Sequence, residues 1–451
     1  MIPLTNGNID KKLYGGLVIT LGASMIFPEY IAPFFVFGLY IYFMKLFKTT
    51  GRNAKMGNFG KLFLIYMIYM MISAIWSNTH FYSVLISLLW MGCFLSYLLA
   101  ANIINTQDKL KTAITAVNIS AGIIGFIAVI EILTYNLSKY VEWFNFYFPN
   151  PLYYYINDSV FKLLPIEVIN YKFSARASAT FDNPLILATY LAVTTPFCAF
   201  GSVYFKHSRN RKISRACFIF AIGGLICTSS RSSYIAIAVG IAVMLVSNKK
   251  IFKKLFPFVI LLAVTVPIGL GLRYKNTSVT EFFDSNNMRM EIWKDCIDMF
   301  IHNPILGLGA GTDNIHTLLR DTYGIINRTH AHNLFLEMIV EGGIIGGAFF
   351  ISLIVILTKN IIKIFKLKDY KYRPYGVLYV SSLLSFSVMS VSEFTLQSPK
   401  ELMIFFFLLG FIEATFRMAT DNVQFAPDEI IRYEEIEDEA LAEEAKETIK
   451  A

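Results

Sequence analysis

Charge is scarce in this chain. Only 16% of its 451 residues are Asp, Glu, Lys or Arg, where an ordinary soluble domain carries about 25%. The shortfall excludes both a disordered chain and a typical cytosolic enzyme. Cysteine is also sparse: Cys93, Cys198, Cys217, Cys227 and Cys296 are odd in number and have no metal-ligand spacing. Four of them lie within apolar runs, so no disulfide framework is implied. No internal sequence repeat is present. No small-residue cleavage site follows the first apolar run, and the hydrophobic pattern resumes at once, which argues against a cleavable signal peptide.

What is present is apolar: 55% hydrophobic residues, 15% aromatic, and a mean hydropathy of +0.53. These values point to a chain whose main solvent is the lipid bilayer. Runs able to cross about 30 Å of hydrocarbon need roughly 20 residues, fewer where aromatics or Lys anchor the ends. Twelve such runs lie near 13–27, 31–48, 61–77, 82–102, 111–135, 185–205, 214–229, 231–247, 253–272, 335–358, 374–395 and 401–418. The expected fold is therefore all-α, a polytopic transmembrane helix bundle of about twelve spans. It would occupy residues 1–419, followed by an acidic cytoplasmic tail from 420.

The formal net charge of +8 divides unevenly. Residues 421–451 hold eleven acids and three bases, which leaves +16 on the rest. With the N-terminus inside, 28 basic residues fall on the cytoplasmic side and 12 outside, as the positive-inside rule requires. The positive charge thus orients the spans and calls for no nucleic-acid partner. Both termini are expected in the cytoplasm, and the two long connections, 136–184 and 273–334, face outward. Long loops that are not low-complexity are usually functional, so the chemistry is expected outside, with short helices in the larger loop.

The first loop holds twelve Phe, Tyr or Trp residues between Tyr140 and Phe173. That density fits an interfacial aromatic belt or re-entrant segment, or a stacking platform for sugar rings. It closes on Arg176-Ala-Ser-Ala-Thr-Phe-Asp-Asn-Pro184, where Arg176 either contacts an anion or snorkels to the headgroups. Arg231 lies in Cys227-Thr-Ser-Ser-Arg-Ser-Ser-Tyr234, the tightest outside turn. A charge at that depth costs about 2.5 kcal/mol or more unless it is paired or lines a wet cavity, and a guanidinium fork suits phosphate.

In the second loop Arg289 precedes Trp293 by four residues, which on a helix places the guanidinium near the indole. Asn303-Pro304 with Gly307, Gly309 and Gly311 reads as a turn, or as backbone amides cradling a phosphate. His332-Asn333 precedes an apolar helix that Asn or Thr could cap. There the helix dipole disfavours imidazolium and leaves His332 able to accept a proton; a polar cap is the plainer alternative. His330 and His332 could ligate a metal only with a third ligand such as His316 or Asp313, and nothing in the spacing demands one.

Taken together, Arg176 to Pro184, Ser230-Arg231, Arg289 with Trp293, Asn303 to Gly311, and His332-Asn333-Leu334 through Glu341-Gly342-Gly343 to Gly346 resemble the O-antigen ligase and polymerase superfamily of membrane glycosyltransferases. The likeness runs in matching order over roughly 174–346. It implies an enzyme on the outer face of a bacterial cytoplasmic membrane that moves glycan from an undecaprenyl diphosphate carrier to an acceptor, without a metal or other cofactor. His332 resembles the family's catalytic base on the acceptor hydroxyl. Arg231 and Arg289 resemble the arginines that hold the diphosphate, with Arg176 as a further anion contact.

The resemblance leaves the acceptor open between lipid A core (a ligase) and the end of another lipid-linked repeat (a polymerase). Richness in Ile, Lys, Asn, Phe and Tyr, common in AT-rich genomes including Gram-positive bacteria without lipid A, favours a polymerase of surface polysaccharide. Polysaccharide assembly proteins are conceivable partners, including for the acidic tail. A flippase or transporter of the same lipid-linked glycan is the rival from another class. It predicts broken helices with midplane charges and a pseudo-repeated half, and it has no need of a base. A peptidoglycan polymerase of the shape, determination and elongation type is a second rival, sharing a multi-span layout and the same lipid carrier, but the His332-Asn333 motif favours the present resemblance.

Overall fold

The computed structural model describes residues 6–29, 31–50, 54–138, 176–247, 256, 260, 279–325, 329–366 and 370–420. Among these residues all regular structure is helical. In chain order the α-helices are α1 (Asn6–Ala23), α2 (Ala32–Thr50), α3 (Gly57–Ser73), α4 (His80–Ile103), α5 (Gln107–Ser138), α6 (Pro184–Tyr204), α7 (Ser208–Cys227), α8 (Arg231–Ser247), α9 (Val279–His302), α10 (Thr312–Asp321), α11 (Leu334–Lys366), α12 (Arg373–Ser392) and α13 (Pro399–Thr420). Eleven of the twelve apolar runs coincide with one of them. Six helices are long and apolar enough to cross a membrane: α4, α5, α6, α11, α12 and α13, while α3 and α8 are apolar but shorter. The run at 253–272, apart from two isolated residues, the aromatic stretch from Tyr140 to Phe173 and the acidic tail lie outside the described residues.

Solvation explains the distribution of side chains. In hydrocarbon every backbone polar group must be satisfied within its own segment, which selects helices. The exterior is correspondingly apolar, with Phe34, Ile65, Phe81, Val246 and Ile351 all largely exposed. The interior admits small hydroxyls, among them Ser381, Ser382 and Ser385, fully buried on α12. The two innermost helices are α6 and α13, buried along almost their whole length. Glycine lets neighbours approach: Gly224 of α7 lies against Gly125 of α5, and Gly410 of α13 against Ala100 of α4, the small-residue packing that membrane helices favour. Phe63, Phe94 and Phe406 fill the space between α3, α4 and α13 with edge-on contacts.

One break in this regularity builds the site. α11 is two helical segments joined at Gly343, whose φ of +60° and ψ of −155° are not helical. The turn at 303–309 inserts at this kink. Leu308 N–H donates to Val340 O at 2.9 Å, Gly309 N–H to Glu341 O at 3.0 Å, and Ile344 N–H to Pro304 O at 2.8 Å. Groups freed by the kink are thereby satisfied. Neither contact face tolerates a Cβ: one on Gly343 would collide with the Ile305 carbonyl, and one on Gly307 with that of Glu341. Tyr69 of α3 seals the joint, its hydroxyl donating to Leu306 O at 2.8 Å and Gly342 O at 3.0 Å.

Candidate active site

The connection between α8 and α11 carries two helices, α9 of 24 residues and the shorter α10, and together they present His332. Asn333 caps α11, its Oδ1 accepting from Leu336 N–H at 3.1 Å. This is the N-cap arrangement expected from the sequence. His332, immediately before the cap, has φ +50°, a left-handed conformation that costs a non-glycine residue about 1–2 kcal/mol. The preceding peptide holds it there. Ala331 N–H donates to the buried Glu337 Oε2 at 2.6 Å, and Ala331 O accepts from Trp293 Nε1 at 2.9 Å. Trp293 therefore reaches the His332 segment.

Arg289, one turn earlier on α9, is directed elsewhere. Its Nη2 donates to Glu393 Oε1 at 2.6 Å. Glu393, the residue that ends α12, places its other oxygen, Oε2, 3.1 Å from His332 Nδ1. The carboxylate thus bridges guanidinium and imidazole. The spacing of four residues had suggested Arg289 lying near the Trp293 indole; the hydrogen bonds of the two side chains go to different partners, the guanidinium's to Glu393 and the indole's to Ala331 O. Side-chain exposure is 8% for Glu393, 13% for His332 and 32% for Arg289, so the bridge is largely shielded while Arg289 keeps an open edge. A carboxylate at Nδ1 selects the tautomer with its proton there and leaves Nε2 as acceptor.

Arg176 and Arg231 both belong to a second place, the turn between α7 and α8. Arg176 Nε donates to Thr228 O at 2.9 Å, and Ala177 N–H to Cys227 O at 2.9 Å. Arg176 is therefore a brace for the turn that carries Arg231, a role that neither sequence reading anticipated. Arg231 opens α8 half-buried. A cation at a helix N-terminus is electrostatically misplaced, so helix stability does not account for it. Contacts of Ala236 and Gly240 with Ser385 and Ser381 pair α8 antiparallel to α12. That register puts Arg231 at the same end of the bundle as Glu393.

The Arg176–Pro184 stretch rests on buried charges contributed by three other parts of the chain. Glu131 of α5 accepts from Ser178 N–H at 3.1 Å and Ala179 N–H at 2.7 Å. Glu29, between α1 and α2, accepts from Asp182 N–H at 3.2 Å, and Lys400 of α13 donates to Thr180 O at 2.6 Å. Asn183 then caps α6, ahead of Pro184. Among the described residues, the three non-glycine positions with positive φ, Ala179, Ser229 and His332, are each within three residues of a candidate site residue. Strain of this kind persists only where the surroundings over-determine it, and at Ala179 and His332 the hydrogen bonds above do so.

Two sequence readings require correction. The glycine series does not cradle an anion: Gly307 and Gly309 N–H groups donate to Asn303 O and Glu341 O, so these amides are already used and the glycines form the turn. Neither His316 nor Asp313 joins His330 and His332; those two face each other at 3.9 Å. The group that does join them is Glu393. Ligand atoms of His330, His332 and Glu393 all lie within 4.8 Å of one another. Glu393, Glu337, Glu131, Glu29 and Lys400 were absent from the sequence-level site. Their only signal was charge in or beside an apolar run.

The scaffold around this site is bound tightly. Tyr323, after α10, donates to Asp298 Oδ2 of α9 at 2.6 Å; burial first, then that hydrogen bond, pushes its phenol up to about 12. The contact therefore stays a donor contact at any physiological pH.

Comparison with known proteins places the same segment. Residues 216–351 match the family model described as O-antigen ligase, a span that includes Arg231, Arg289, Trp293 and His332. The chain is also 27% identical over 197 residues to a protein of Acinetobacter baylyi described as a ComP-specific O-oligosaccharyltransferase. That match covers 41% of this chain and 34% of the relative, so the chain spans about a third of the relative's length. The order of the motifs and the matching segment agree: over residues 216–351 this chain is similar to the O-antigen ligase family.

Proposed function

We propose that the protein is a membrane glycosyltransferase that moves glycan from a polyprenyl diphosphate carrier, undecaprenyl diphosphate in bacteria, to an acceptor hydroxyl on the outer face of the cytoplasmic membrane. One observation carries this reading: Arg289 and His332 converge on the single carboxylate of Glu393. His332 Nε2 takes the proton from the acceptor hydroxyl as its oxygen bonds to the anomeric carbon. The bond from that carbon to the phosphate oxygen breaks, and the diphosphate departs with the electron pair. Glu393 stabilises the imidazolium that forms, as a buried carboxylate does in other base dyads. Arg289 and Arg231, supported by Arg176, face the negative charge that develops on the diphosphate; fixed guanidinium groups provide stabilisation of the kind usually largest in such reactions. No step calls on a metal.

Polymerisation of a surface polysaccharide is the favoured form of this reaction, on the compositional argument above. Transfer of a finished oligosaccharide to a specific acceptor is the second reading, favoured by the description of the Acinetobacter baylyi relative as a ComP-specific O-oligosaccharyltransferase. Both use the same base and the same leaving group. The test is transfer by purified protein from an undecaprenyl diphosphate oligosaccharide with EDTA present, comparing wild type with His332→Ala and Arg289→Ala. Wild type is expected to elongate or transfer glycan and both variants to lose it. Full activity in His332→Ala removes the base assignment; loss of wild-type activity on adding EDTA removes metal-free transfer.

A further inference from the structure

The proposed transfer chemistry uses His332 and Glu393 and leaves His330 without a part. Yet His330 stands against them: its ring centroid is 4.1 Å from that of His332, and one ligand atom from each of His330, His332 and Glu393 lies within 4.8 Å of the others. Two imidazoles and a carboxylate form the donor set of a three-ligand zinc site that keeps its fourth position for water. The pair already closest, His332 Nδ1 and Glu393 Oε2 at 3.1 Å, is near the roughly 3.3 Å that separates two ligands on a tetrahedral zinc with bonds of about 2.0 Å. The outer shell fits as well. A ligating carboxylate is normally held by a second hydrogen bond, and Glu393 Oε1 has one from Arg289 at 2.6 Å.

We propose that His330, His332 and Glu393 bind a divalent transition ion, zinc foremost, and that the bound ion switches transfer off. Imidazole with carboxylate selects zinc, copper or nickel; magnesium and calcium prefer oxygen shells. The ion enters between His332 Nδ1 and Glu393 Oε2, and the ring's single proton passes through solvent from Nδ1 to Nε2. A neutral imidazole whose Nδ1 lone pair is given to a metal carries its proton on Nε2. The nitrogen that would accept the acceptor hydroxyl's proton is then occupied, and the same carboxylate can no longer stabilise an imidazolium. The inhibitory half of this inference rests on the transfer reading above; the binding half does not.

The experiment is a calorimetric titration of metal-stripped, detergent-purified full-length protein with zinc chloride, run beside the transfer assay across the same zinc concentrations. Wild type is expected to bind one zinc per chain and to lose transfer as that site fills, with EDTA restoring it. His330→Ala is expected to bind at least tenfold more weakly, to transfer without zinc as wild type does, and to need at least tenfold more zinc for inhibition. His316→Ala is expected to bind like wild type. Absence of saturable binding, equal affinity in His330→Ala, or zinc that raises turnover overturns the inference. If metal-stripped wild type transfers nothing, the transfer reading fails while the titration still decides the site.

Discussion

Glu393→Gln tests the bridge at the centre of the site with almost no change in shape. In the native site both carboxylate oxygens are engaged, one by Arg289 at 2.6 Å and the other by His332 Nδ1 at 3.1 Å. A glutamine offers one oxygen and one NH2. The guanidinium has only donors, so it retains the oxygen and turns the NH2 towards His332. Nδ1 must then accept, and the ring proton moves to Nε2. The variant therefore loses general-base catalysis, which is worth about 10²–10⁴ in rate, or about 2.7–5.5 kcal/mol of barrier. Stability should change far less, because Arg289 keeps an oxygen to donate to and, at 32% exposure, solvent screens the lost negative charge; about 1 kcal/mol is the expected scale. The assay is single-turnover transfer beside thermal unfolding of the same preparation. Transfer within threefold of wild type by folded Glu393→Gln refutes the tautomer argument. A fall in activity that merely follows a fall in folded fraction refutes it too. Glu393→Asp, which keeps the charge on a shorter arm, should recover part of the rate.

Three further perturbations probe the support around that bridge. Trp293→Phe keeps the ring and removes the donor to Ala331 O; a lost hydrogen bond of about 1 kcal/mol should slow transfer several-fold with little change in unfolding temperature, and an unchanged rate would show that the indole does not position His332. Gly343→Ala forces a Cβ onto φ +60° and against the Ile305 carbonyl; strain of about 1–2 kcal/mol plus displacement of the inserted turn should lower the unfolding temperature clearly, so wild-type melting would contradict the kink. Lys400→Met removes a buried cation that interacts with Glu29 and Asp182, a loss expected to cost about 3 kcal/mol or more. Adding Glu29→Gln should recover part of it, and strict additivity of the two changes in denaturant unfolding would show that they do not interact.

The parts of the site legible in the sequence are those whose logic is local. Arg289 and Trp293 share α9, His332 and Asn333 adjoin the start of α11, and Arg176 to Pro184 is contiguous, so each motif can be read within a short stretch, and their order carried the family resemblance that brought His332 and Arg289 to notice. The helices followed for the same reason, since a run of apolar residues in lipid has little alternative to helix. Glu393 is different. It lies 61 residues beyond His332, and only the packing of the last helices brings it to the imidazole. The rule that flagged Arg231, charge at membrane depth, applies equally to Glu131, Glu337, Glu341 and Lys400, but it names a cost and not a partner. The partner depends on which helices meet.

Backbone strain was equally illegible. Glycine at 307, 309, 311 and 343 advertises positive φ, and all four positions have it. Ala179, Ser229 and His332 carry no such signal, because what holds them lies elsewhere in the chain: Glu131 for Ala179, Glu337 and Trp293 for the peptide before His332. A left-handed histidine is stable only while those distant groups keep their grip. The proposed base is therefore a property of the assembled bundle, and a change at Trp293 or Glu337 should reach the proposed chemistry without touching a reacting atom.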